Sequence, residues 1–183
     1  MSEVEAGNTV LTELCATEMK IDFVNKPSNA GPRSFQFLKY KGDVGGCIRA
    51  SAFLYSNLED APKVEGAAHE LFHAFQFVKG RNFYSSNAEV EAFLFGNGIA
   101  ANSKYGSEFY MYIEGNSSEA GVIYGDAMLN LSTTNLSTDD FNWYFNSASE
   151  NFVEGNLSSY TGKYRNVVDK NYEPLIKDLL PLR

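Results

Sequence analysis

The stretch AAHELFHAFQFVKG, residues 67–80, decides how this chain is read. It holds His69 and His73, the only two histidines in 183 residues, with Glu70 directly after the first. Residues four apart on an α-helix lie one above the other on the same face, so the two imidazoles stand at the spacing that lets them share one tetrahedral metal ion. Glu70 is turned by about one residue's rotation, close enough for a carboxylate to reach a water held by that metal. Zinc lowers the pKa of such a water to roughly 7 and polarises a carbonyl, and a neighbouring carboxylate can take the proton. The competing reading is a core helix whose histidines only satisfy hydrogen bonds. Two randomly placed histidines fall four apart roughly once in a hundred chains, and a Glu follows the first about once in ten. Ala67, Ala68, Leu71, Phe72, Ala74, Phe75, Phe77 and Val78 leave this helix almost no polar face, so it is buried on most sides. Buried imidazoles and a buried carboxylate cost several kcal/mol unless paired, which favours the metal reading. Gln76 lies i+3 from His73, on the same face, where it can support that histidine from behind.

Around this helix, 44% hydrophobic and 14% aromatic residues supply ample apolar surface to bury. The length fits one domain over residues 1–183. A formal net charge of −8 and a pI near 4.8 disfavour nucleic acid as a partner, because phosphate binding needs clustered Lys and Arg. No run of roughly 20 apolar residues is present, so no membrane span is expected. No cationic and apolar leader opens the sequence, which points to the cytoplasm, with a secreted or periplasmic location open if a leader has been removed. Cys15 and Cys47 have neither a disulfide framework nor a zinc-ribbon spacing.

Three segments read as strands: Lys20–Lys26, Ser34–Lys41 with Phe35, Phe37 and Lys39 on one face, and Cys47–Tyr55 after a Gly45-Gly46 turn. They predict a small, mostly antiparallel sheet preceded by a short helix around Thr9–Met19. Helical periods follow: a helix opening near Asp60 and Pro62 and stopped by Gly80, and a second from Ser86 or Asn87. A third is capped at Ser137–Asp140 and carries Phe141, Trp143, Tyr144 and Phe145 as core. Helical turns are expected within Thr161–Leu180, with Pro174 opening the last. The fold class is α+β, with a largely helical C-terminal half.

Two histidines leave a zinc site one protein ligand short, and no third histidine exists. Glu89 and Glu91, at the opening of the next helix, are the nearest candidates beyond His73. They lie about 200° apart around a helix, so only one can face the metal. HELFHAFQ followed by a helix beginning E-x-E-A resembles the zincin metallopeptidases of the gluzincin type, over about residues 69–98. That resemblance implies a zincin-like fold and a third ligand that is the first Glu of a Glu-x-x-Ala-Asn/Asp pattern, here Glu89 with Ala92, the small Ala letting the helices approach. Phe93 stands where the pattern has Asn or Asp, the residue that supports a histidine from the second shell. Against Glu89, Ser86-x-x-Glu89 also reads as a capping box, which would leave Glu91 to turn inward. An oxyanion donor would come from Tyr105, Tyr110, Tyr112 or Tyr124.

The sequence thus predicts a zinc-dependent hydrolase, and the resemblance makes it a metallopeptidase acting on a peptide or protein. His69, His73 and Glu89 (alternatively Glu91) would bind Zn2+, with Glu70 as general base. The alternative is a catalytically weak or inactive zincin-like binding or scaffold protein whose metal is structural or lost.

Overall fold

The computed structural model describes residues 4–24, 35–42, 45–49, 60–104, 115–133, 135–155 and 167–180. Helix α1 (Glu5–Cys15) is followed by strands β1 (Lys20–Val24), β2 (Gln36–Lys39) and β3 (Gly45–Arg49). Helices α2 (Asp60–Val78), α3 (Ser86–Ala101), α4 (Glu119–Thr133) and α5 (Thr138–Gly155) come next, then a short 3₁₀ helix, Ile176–Leu179. The architecture is α+β and largely helical, with a three-stranded sheet.

Helix α1 starts earlier than its sequence suggests and ends at Cys15 rather than Met19. Ala6, Val10 and Leu14 form its buried stripe, and Thr17 closes its end by donating its hydroxyl to the Leu14 carbonyl at 2.8 Å. The sheet is mixed rather than mostly antiparallel, with strand order β1-β3-β2. The β2–β3 hairpin is antiparallel, pairing Gln36 with Arg49 and Lys39 with Gly46, as its short connection demands. β1 runs parallel to β3 along the other edge, pairing Lys20 with Gly45 and Val24 with Arg49. The chain between Val24 and Gly45 is long enough for the crossover that a parallel pair needs. The expected Gly45-Gly46 turn is instead the start of β3, and the turn falls at Lys41 and Gly42. The predicted continuation of this strand to Tyr55 lies outside the described residues.

Phe35 and Phe37 point from β2 toward the core. Phe37 meets the rings of Phe77 at 6.0 Å and Phe83 at 5.5 Å, and Lys39 lays its stem toward Phe77, its Nζ 5.9 Å from that ring. The sheet therefore rests on α2, and α2 in turn packs along α3. On the far side α4 and α5 pair with each other, and α5 closes on α3. The seam is aromatic: Phe72 meets Phe95 at 4.6 Å, and Phe152 meets Phe93 at 6.0 Å and Tyr124 at 5.9 Å. Helices α2 and α3 are buried nearly all round, which is the mark of a helix inside a domain rather than on its surface.

Helix α2 stops where Gly80 takes φ 70°. Gly80 N–H donates to Phe77 O at 3.0 Å and Arg81 N–H to Gln76 O at 2.8 Å, the paired bonds of a Schellman end that a glycine adopts without a Cβ penalty. Helix α3 is capped by Ser85, one residue before the expected cap. Its hydroxyl accepts from Ala88 N–H at 3.2 Å and donates to Asn82 O at 3.1 Å. This shift removes the predicted Ser86–Glu89 capping box. The Glu89 carboxylate turns inward, toward His69 and His73.

Candidate metal centre

The face of α2 that carries His69 and His73 lies directly against the first turns of α3. The imidazoles stand edge to face, with ring centroids 4.7 Å apart and planes at 87°. Their Nε2 atoms are 3.1 Å apart. Glu89 completes a triangle of side chains, with a different oxygen facing each ring: Oε2 lies 3.4 Å from His69 Nε2, and Oε1 lies 3.4 Å from His73 Nε2. All three side chains are buried, Glu89 completely. Two ligand atoms held at 2.0–2.1 Å by a tetrahedral zinc stand about 3.3–3.4 Å apart; each of the three contacts is close to that spacing, and one ligand atom from each side chain lies within 4.8 Å of the other two. Among the described residues, this is the only group of three His, Cys, Asp or Glu side chains close enough to hold a metal.

Glu91, the other candidate ligand, turns the opposite way, as the 200° separation requires. Its carboxylate accepts from Gln76 Nε2 at 2.9 Å, from Ile176 N–H at 2.7 Å and from the Tyr172 hydroxyl. Burial pushes the Glu91 carboxyl up to about 7, against the pull of these donors.

Gln76 supports His73 as its position suggested. Its Nε2 faces two acceptors, Ala88 O at 3.0 Å and Glu91 Oε2, which fixes the amide orientation. Its Oε1 then faces His73 Nδ1 at 2.8 Å and can only accept. His73 therefore carries its proton on Nδ1 and presents the Nε2 lone pair to the triangle. His69 has different company. The Phe93 ring lies 4.4 Å from its own, centroid to centroid, and His69 Nδ1 has no hydrogen-bond partner among the described residues. Burial holds the His69 pKa below its usual value, and the Glu89 carboxylate opposes that shift.

Two residues that shape the site escaped the sequence reading. Gly96 sits where α3 approaches α2: a Cβ there would stand 2.8 Å from Glu65 O, 3.1 Å from Glu65 Oε1 and 3.3 Å from His69 Cβ. Ala92, expected to allow this approach, is fully buried, and Gly96 lies one turn later on the same helix. Glu65 lies one turn before His69 and is 2% exposed. Burial, with Glu70 repulsion added, raises its carboxyl to about 8, so at neutral pH it is mainly an uncharged acid. Its i−4 spacing from His69 was the available signal.

Glu70 is buried beside the site, and its Oε2 accepts the Phe37 N–H of β2 at 2.5 Å. Tyr124 is fully buried, its ring 5.9 Å from that of Phe152. Tyr105, Tyr110 and Tyr112 lie outside the described residues. Phe141 and Phe145 are core as expected, stacked at 5.8 Å, while Trp143 is 62% exposed.

No family profile, curated protein or solved structure matches this chain. No helix among the described residues is long and apolar enough to cross a membrane.

Proposed function

We propose that His69, His73 and Glu89 hold a zinc ion and that the chain is a zinc-dependent hydrolase of zincin-like type, a metallopeptidase acting on peptide or protein. The observation that carries this is the buried triangle of side chains, in which the two Nε2 atoms lie 3.1 Å apart and each faces its own oxygen of Glu89 at 3.4 Å. A nitrogen, nitrogen and carboxylate set that leaves a position open is the donor chemistry of catalytic zinc. Zinc there would supply Lewis-acid polarisation of a carbonyl oxygen and make water a readier nucleophile near neutral pH. Glu70 is the proton acceptor in this reading. Its Oε2 is anchored by Phe37 N–H, and its carboxylate is the group beside the triangle that can take a proton from water and return it to a leaving amine.

A second reading keeps the metal and drops the turnover: a binding or scaffold protein. The Phe93 ring against His69, in place of a polar support, favours it. Elemental analysis of freshly purified protein tests the first step, with about one zinc per chain expected and its loss in His69→Ala. Protein that neither contains nor tightly binds a transition metal would sink the hydrolase reading and leave only a scaffold whose metal is lost. Glu70→Gln separates them: it should abolish hydrolysis of any peptide found to be cleaved while bound zinc stays unchanged.

A further inference from the structure

We propose that Gln76, Glu91 and Tyr172 form a positioning chain that keeps the His73 proton on Nδ1, so that Nε2 faces the metal centre. Through this chain the segment Val167–Leu180 sets metal affinity. The proposal rests on the reading of His69, His73 and Glu89 as that centre.

A neutral imidazole has two tautomers, and acceptors on both sides of His73 compete for the proton: Gln76 on the Nδ1 side, and Glu89 together with His69 Nε2, 3.1 Å away, on the Nε2 side. Gln76 Oε1 lies 2.8 Å from Nδ1, and Glu89 Oε1 lies 3.4 Å from Nε2. A proton on Nε2 would occupy the position a metal needs. Gln76 wins only while its oxygen points at His73, and an amide can turn by 180° and present its NH2 instead. What prevents the turn is the placing of Glu91 and Ala88 O on the other side of the amide. Glu91 is in turn held by two donors from the C-terminal segment, Tyr172 O–H and Ile176 N–H.

That segment is fastened to the same helix end at other points. Ser86 N–H donates to Val167 O at 3.1 Å, Asp169 N–H donates to Asn87 Oδ1 at 2.8 Å, and Arg81 pairs with Glu173 at 3.0 Å. A segment more than 90 residues beyond His73 thus reaches the back of its imidazole through two side chains. Seating of this segment and metal binding should therefore favour each other, since a coupling between two events is reciprocal.

The test uses the full chain with Zn2+ as the probe. Imidazole 15N shifts of metal-free protein report the His73 tautomer, and competition with a chromophoric chelator reports zinc affinity. The wild type should show the Nδ1–H form. Gln76→Leu should move the proton to Nε2 and weaken zinc binding about 10- to 100-fold. Tyr172→Phe keeps the ring that stacks on Phe145 at 6.1 Å and should weaken zinc binding about three- to tenfold with the fold intact. An unchanged His73 tautomer in Gln76→Leu, or wild-type affinity in Tyr172→Phe, overturns the proposal; if Gln76→Leu does not fold, Tyr172→Phe decides alone. A wild type that binds no Zn2+ overturns the metal centre and the affinity part with it. The His73 tautomer, read without metal, still decides the positioning chain separately.

Discussion

His69 and His73 sit one turn apart on one face of one helix, yet they are held in different ways. Behind His73 lies a polar chain, Gln76 to Glu91 to Tyr172, in which the Gln76 amide and the Tyr172 hydroxyl both donate to Glu91. Behind His69 lie an aromatic ring and an unpartnered Nδ1. In the metal-free protein this contrast is self-consistent. With the His73 proton on Nδ1, His69 keeps its own proton on Nε2, which faces His73 Nε2 at 3.1 Å and Glu89 Oε2 at 3.4 Å, and leaves Nδ1 without one. For His69 to offer Nε2 as a ligand, its proton must go to Nδ1, where no acceptor waits among the described residues. One imidazole is prepared for a metal, and the other must be rearranged to take one.

The largest effect that would sharpen this contrast is at the third corner. Glu89→Gln should reduce zinc affinity by about a thousandfold or more, because it removes the charged ligand. Glu91→Gln should cost only about 10- to 100-fold, through the support of His73. Isothermal titration of the two variants measures both, and equal losses would erase the distinction between ligand and support.

Next in size is a pH dependence on the His69 side. Glu65 has a folded-state pKa of about 8, above its unfolded value near 4.5. The stability linked to its proton is therefore fully present below about pH 4.5 and is lost as pH rises through about 8, a fall on the order of a few kcal/mol. Urea unfolding of metal-free protein between those limits should show this slope. Glu65→Gln, uncharged at every pH, should flatten it.

The smallest expected effect tests Phe93 itself. Phe93→Asn offers His69 Nδ1–H an acceptor and should tighten zinc binding by about tenfold or less, while the lost ring costs about 3 kcal/mol of metal-free stability. Calorimetric titration and thermal unfolding of the same sample separate the two changes. Weaker zinc binding in that variant would mean that the ring supports His69 as it stands.

The part of the site that sequence could reveal is the part set by the helix period. His69, Glu70, His73 and Gln76 lie within three turns of α2, and their mutual placement follows from 3.6 residues per turn once the helix is granted. The stop at Gly80 and the α+β class were legible for similar local reasons. The choice between Glu89 and Glu91 was not, because it depends on whether Ser85 or Ser86 caps α3, and adjacent serines look alike in sequence. The parallel pairing of β1 with β3 was hidden because pairing partners are selected by packing between distant segments, whereas alternation of side chains is the same in either direction. Tyr172 and Ile176 had no signal at all, since nothing in residues 167–180 marks them as partners of Glu91.

The bond from Phe37 N–H to Glu70 has a consequence away from any chemistry. Among the described residues β2 is an outer strand of the sheet, and an outer strand with unpaired amides invites pairing with another chain. By capping the Phe37 amide while α2 lies over Phe35 and Phe37, Glu70 closes this edge. A chain in which α2 has not yet docked would expose it, so association during refolding should rise in Glu70→Ala more than in Glu70→Gln, whose amide oxygen can still accept from Phe37.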